Sequence, residues 1–115
     1  MKIYTASKVK HFEKWIDLRK NGYAIVSTWI DEAGEGQSVD YTELSERCIK
    51  EIRDCDFLLL YCEEGEILKG ALIEAGIALA FGKEVRCIGR CDTLSRVFIK
   101  HPLWKSYFRV TDALK

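Results

Sequence analysis

Glu74 is the residue of this chain best placed to do chemistry. It is the only charged residue between Ala71 and Phe81, in a run of Ala, Leu, Ile, Gly and Phe. A helix apolar on every side reads as a buried helix. A carboxylate on it needs compensation for its lost hydration. Two readings are open. In one, Glu74 turns to the rim or pairs with a cation such as Lys69 or Arg86. In the other it lines a pocket and reacts, since perturbed carboxylates gather at functional sites.

Other chemistries lack their residues. No glycine fingerprint follows the first strand, where Ala6, Ser7 and Lys8 stand, and no P-loop occurs. Acidic residues that would mark a phosphoacceptor do not end that strand. His11 and His101 are isolated, so neither a Ser-His-Asp nor a Cys-His arrangement can be built, and each reads as a surface or packing residue. The five cysteines (Cys48, Cys55, Cys62, Cys87, Cys91) are an odd number without a Cys-x-x-Cys pair. Three fall in apolar strand positions, where a thiol packs as a small hydrophobe. Reduced thiols and no metal are expected.

The elements that must position Glu74 alternate. Met1 to Ala6 reads as a strand, followed by a helix capped by Ser7 with Val9, Phe12, Trp15 and Ile16 on its inner face. Asn21-Gly22 ends that helix. Tyr23 to Trp29 reads as a second strand and Ile30 to Ser38 as a long acidic loop. A helix starts at Ser38 or Asp40 and runs to about Arg53, with Tyr41, Leu44, Cys48 and Ile52 as its buried stripe. Its charged residues, Arg47 and Glu51 among them, read as a wet face. Cys55 to Tyr61 is a continuous apolar run, typical of a strand covered on both faces. The Glu74 helix follows, then a strand over Glu84 to Ile88. Asp92 to Ile99 reads as a short helix, Tyr107 to Val110 as a fifth strand, and Thr111 to Lys115 as a final turn. Strands alternating with helices predict an α/β fold: a doubly wound parallel sheet of about five strands in the order 2-1-3-4-5. Ligands in such sheets bind beyond the carboxyl ends of the strands, near where Glu74 falls.

At 115 residues the chain predicts one domain spanning 1–115. Eighteen basic residues balance eighteen acidic ones, which argues against nucleic acid or a membrane surface as partner. With no apolar run long enough to span a bilayer and no signal-peptide pattern, a cytoplasmic location is expected.

Three stretches carry a family resemblance: Lys2-Ile3-Tyr4-Thr5-Ala6-Ser7, Asp54-Cys55-Asp56 before the apolar strand, and Lys69-Gly70-Ala71-Leu72-Ile73-Glu74-Ala75-Gly76. Together with Ala78 to Val85 they resemble the nucleoside 2-deoxyribosyltransferase family over roughly residues 1–89. The segment 27–31 and His101-Pro102 look like its short, often phage-encoded branch. The resemblance implies a flavodoxin-like fold, no cofactor, and cleavage or transfer at an N-glycosidic bond of a nucleoside or nucleotide. Glu74 would be the nucleophile that attacks C1′, by the retaining logic of covalent glycosidases. Tyr4 would orient it. Ala6 and Ser7 join the substrate-binding set, and Gly70 would let backbone approach the sugar or its 5′ substituent. Trp29 and Asp31 would help hold the base, and Lys69 a phosphate. The chain departs from the family at Leu68 and Cys48, where acids are usual, and at Ala71, where a hydroxyl residue is. Glu66, Asp31 or Asp40 are candidates to substitute. The alternative is a non-catalytic binder that sequesters a nucleotide-derived signal. Aromatic residues crowding the tail (Phe98, Trp104, Tyr107, Phe108) predict a homodimer or larger assembly.

Overall fold

A computed structural model describes residues 1–33, 40–90 and 96–115. Strands β1 (Lys2–Ala6), β2 (Ala24–Ile25), β3 (Phe57–Tyr61), β4 (Glu84–Ile88) and β5 (Trp104–Tyr107) form one parallel sheet in the order β2-β1-β3-β4-β5. This is the doubly wound, flavodoxin-like arrangement that the alternation of elements predicts.

The central strand shows why the sheet is covered twice. Successive side chains of a strand point to opposite faces. Leu58 and Leu60 enter one core, with Tyr4, Ile52 and Val85, while Phe57 and Leu59 enter the other, with Trp15 and Ala113. Helices α3 (Tyr41–Asp54) and α4 (Gly70–Ala80) cover the first face. Helices α1 (Phe12–Lys20) and α6 (Val110–Ala113) cover the second.

Helix α4 corrects the expectation of full burial. Ala71, Ala75 and Ala78, spaced four and three apart, lie on the sheet. The opposite side carries Ile73, 68 % exposed. Its apolar composition therefore serves two surfaces: small residues let the helix approach the sheet, and larger ones form an exposed apolar wall.

Several boundaries also differ from expectation. β2 is only two residues long, because Trp29–Glu32 turns into a short helix, α2. The rest of the expected acidic loop, 34–39, lies outside the described residues. Asp40 caps α3 by accepting from the amides of Thr42 and Glu43, and Tyr41, expected on the buried stripe, is exposed. Ser7 does not cap a helix. A 3₁₀ turn, Val9–His11, intervenes before α1, and the Ser7 hydroxyl donates to the Lys8 carbonyl while accepting from Trp15 Nε1. Val9 points to solvent for the same reason. The last strand falls at Trp104–Tyr107, three residues earlier than expected, and 110–113 is helical. The expected helix near residue 92 is seen only as α5 (Arg96–Ile99), its earlier part lying outside the described residues.

Candidate active site

The carboxyl ends of β1 and β3 open into a cleft of about 690 Å³. One rim is the turn after β1, with Ser7, Lys8, Val9 and Lys10. Trp29 and the α3 residues Leu44, Ser45, Cys48 and Ile49 make the next wall. Ile67 to Ala71 and the α4 residues Ile73, Glu74 and Ile77 close it. Apolar side chains dominate this lining, and among the described lining residues Glu74 is the only acid.

Glu74 accepts a hydrogen bond from the Tyr4 hydroxyl. Tyr4 is fully buried on β1 and packs in the core with residues of α3 and α4. It is the first residue expected to meet Glu74, and it does. The expected alternatives for Glu74 are not realised. Arg86 lies on the other side of the sheet, bonded to Glu84 and to the Ala113 carbonyl, with its guanidinium stacked on Phe57. Among the described residues no cation pairs with Glu74, Lys69 included.

Burial pushes the Glu74 carboxyl up to about 7, opposed by the Tyr4 hydrogen bond and reinforced by the charge of Glu51. The Tyr4 phenol is driven far above its ordinary value by burial first, then by the Glu74 charge and by Cys48. Tyr4 thus stays protonated and remains a donor. Cys48 also engages Tyr4, and burial raises its thiol. The sequence marks Cys48 as a stripe residue and a family departure, without placing it beside this pair. The position on α3 that faces Tyr4 is set by the docking of the helix.

The other candidates separate into two groups. Ser7, Trp29, Lys69 and Gly70 line the cleft with Glu74. Trp29 is held by its indole Nε1, which donates to the Thr5 carbonyl at 2.7 Å. A Cβ on Gly70 would meet no atom within 4 Å, so its backbone borders open space. Ala6 is buried at the end of β1, behind the lining. Asp31 and Glu66 are not in the lining. Asp31 forms a two-point pair with Arg19 at 2.6 and 3.1 Å, and those hydrogen bonds lower its carboxyl.

Glu66 is turned into a second cluster. His11 Nε2 meets its carboxylate at 2.8 Å, Lys10 at 3.4 Å, and the Glu63 amide donates to it at 2.8 Å. Burial acts to raise Glu66, but the Glu63 amide, His11 and Lys10 together leave it lowered. His11 is therefore not an isolated histidine. Donor atoms of His11, Glu63 and Glu66 lie within 4.8 Å of one another and could hold a metal ion. The carboxylates are already engaged, one Glu63 oxygen by Tyr61 at 2.6 Å, so the cluster closes as a latch between the β1 turn and the loop before α4. The two ends are 55 residues apart in sequence, and no local pattern announces them.

On the far wall, the expected wet face of α3 is partly turned inward. Glu51 accepts from the Thr28 amide and hydroxyl at 3.1 and 2.6 Å. Arg47 reaches Thr28, Glu32 and Glu43. These bonds tie α2, and with it Trp29, to α3.

No family model matches the chain, and no curated protein matches it either. Solved structures do. A 2-deoxyribosyltransferase from the psychrotolerant bacterium Bacillus psychrosaccharolyticus superposes with a TM-score of 0.72 at 21 % identity, over 97 % of this chain and 89 % of that one. A CMP N-glycosidase from Clostridium botulinum gives 0.61 at 15 % identity, over 95 % and 91 %. The likeness is one of fold. Both cover nearly the whole chain, so the sheet and its flanking helices are shared from end to end.

Proposed function

We propose that this protein cleaves or transfers the N-glycosidic bond of a nucleoside or nucleotide, with Glu74 as nucleophile and Tyr4 as the residue that aims it. The observation that carries this reading is the Tyr4–Glu74 hydrogen bond at the floor of a cleft beyond the ends of β1 and β3. Two proteins of the same fold, named as a 2-deoxyribosyltransferase and a CMP N-glycosidase, act on such bonds.

The carboxylate would attack C1′ while the base departs, and the glycosyl ester would then pass to a second base or to water. A buried donor such as Tyr4 keeps the attacking oxygen pointed at the sugar and costs no reorganisation during the reaction. Ser7, Lys69 and Gly70 would contact the sugar and its 5′ substituent, and Trp29 the base, with Ala6 as packing beneath them. Asp31 and Glu66, engaged by Arg19 and His11, would act on the walls rather than on substrate. No cofactor is needed for these steps.

One feature of the cleft favours the sequestering alternative. Leu68 and Cys48 give apolar or weakly polar surface where the resemblance leads one to expect acids, and a carboxyl near 7 is only partly ionised at neutrality. Incubation with a panel of nucleosides and nucleotides, followed by chromatography for free base, decides between the two. Release that disappears in Glu74→Gln supports the enzyme. Tight binding without release in the unaltered protein supports the binder and rejects the proposed chemistry.

A further inference from the structure

We infer that the cleft takes a pyrophosphate-bridged dinucleotide and that the ring it releases leaves as a neutral pyridine from an N-glycosyl pyridinium. This deepens the N-glycosidic reading above and rests on it. Three features of the lining converge.

The first is size. At about 690 Å³ the cleft lies near the middle of the roughly 300–1,000 Å³ that small-molecule sites span, which leaves room for a ligand larger than a single nucleoside.

The second is charge. Lys8 and Lys10 follow β1, Lys69 precedes α4, and β1 pairs with β3, so the two loops meet on one rim. Lys10 is partly neutralised by Glu66. Lys8 and Lys69 have no ion-pair partner among the described residues. Beside them Gly70 opens the eleven-residue helix α4, whose N-terminus has no side-chain cap, an arrangement that favours phosphate oxygens. Two unneutralised ammonium groups, a third shared one and a helix terminus suit the charge of a pyrophosphate better than that of a single phosphate.

The third is the lining around Glu74. Leu44, Ile49 and Ile67 across the cleft, with Ile73 and Ile77 beside Glu74 on α4, offer van der Waals contact, and among the described lining residues no second acid stands ready to protonate a departing ring. A neutral purine or pyrimidine leaves readily only if a ring nitrogen gains a proton. A pyridinium does not. Glu74 attacks C1′, the new C–O bond forms, and the C1′–N bond breaks with its electron pair returning to the ring nitrogen. Carboxylate and pyridinium thereby become neutral ester and neutral pyridine. Water then attacks C1′, the ester bond returns its pair to the carboxylate, and one proton goes to solvent. A cationic ring beside Glu74 also draws its carboxyl, near 7 in the open cleft, toward the ionised form that attacks.

The test measures nicotinamide release from oxidised nicotinamide adenine dinucleotide, nicotinamide mononucleotide and nicotinamide riboside, alongside base release from CMP and deoxyadenosine. The expected result is release from the dinucleotide with kcat/KM at least about tenfold above that for the riboside. A Lys8→Ala/Lys69→Ala variant should raise KM for the dinucleotide about tenfold, with the phosphate-free riboside affected several-fold less. Both lysines are exposed, and a circular dichroism spectrum matching the parent protein confirms that this variant folds. Glu74-dependent base release from CMP or deoxyadenosine, with the dinucleotide untouched, overturns this inference and upholds the N-glycosidic reading. Release from none of the five compounds overturns both.

Discussion

At the scale of residues, Glu74 and Tyr4 make opposite demands. Burial favours a neutral Glu74, while the Tyr4 hydroxyl favours the carboxylate. The balance sets a pH dependence with a definite sign. The folded value, about 7, lies above the ordinary 4.5. Between them the folded state holds the proton more tightly than the unfolded one. Glu74 therefore contributes stability that is complete below 4.5 and is lost as pH rises through 7. The difference is on the order of 1–3 kcal/mol, discounted for partial solvent access. In Glu74→Gln, thermal unfolding followed from pH 4.5 to 8 should lack this decline relative to the parent, and the melting temperature at pH 8 should hold steady or rise. Turnover should fall by several orders of magnitude. A lower melting temperature with base release intact would exclude Glu74 as nucleophile. Tyr4→Phe removes the donor and leaves the packing. The loss of about 1.5–3 kcal/mol from a hydrogen bond to a charged group corresponds to roughly 10–100-fold in rate at neutral pH. Because the missing bond lets Glu74 rise further, activity in this variant should recover toward higher pH. A pH–rate profile parallel to that of the parent would show that Tyr4 does not act through Glu74.

At the scale of elements, the cleft depends on clamps that hold short segments in place. Helix α2 has four residues, too few to be stable unaided. Arg47 and Glu51 hold it against α3. Arg47→Met keeps much of the side-chain stem but removes the bonds to Thr28 and Glu32, and should cost about 1–3 kcal/mol. The loosened Trp29 wall should raise KM more than it lowers kcat. A thermal melt and steady-state kinetics on the same preparation check both parts. Gly89 is a second such point. It follows β4 with φ of 90°, and a Cβ there would lie 1.9 Å from the Cys62 carbonyl oxygen. Gly89→Ala must move the backbone of the loop leading to α4 and should destabilise by about 2–4 kcal/mol. Denaturant unfolding close to that of the parent would contradict this placement.

At the scale of the whole molecule, exposed apolar surface is concentrated near the tail and along the cleft mouth. Phe108 is 97 % exposed and Phe98 50 %, while Trp104 packs in the core. The aromatic tail is thus divided between filling the fold and facing outward. Exposed apolar surface of this kind supports the expectation of a homodimer or larger closed assembly. Light scattering at tens of micromolar should give at least twice the 13.3 kDa chain mass; a monomer mass would reject it. Among the described residues no helix is long and apolar enough to cross a membrane.

The sequence by itself determined the sheet and its order. Runs such as Phe57–Tyr61 must be covered on both faces, and right-handed crossovers leave few topologies for alternating strands and helices. It also singled out Glu74, because one charge in an apolar helix is visible without any structure. Boundaries were less legible where local propensity and packing disagree. Residues 26–29 favour a strand, yet only Ala24 and Ile25 pair with β1, and Trp29 starts a helix with its indole bonded to the Thr5 carbonyl. Only the tertiary structure decided which partners meet. Tyr4 and Glu74 are 70 residues apart, and His11 and Glu66 are 55. Cys48 joins the first pair through the docking of α3. Arg19 and His11 draw Asp31 and Glu66 away from the cleft, because a charge takes the nearest partner that limits the cost of its desolvation. Such choices are made between segments that periodicity describes one at a time, so they become visible only when the segments pack.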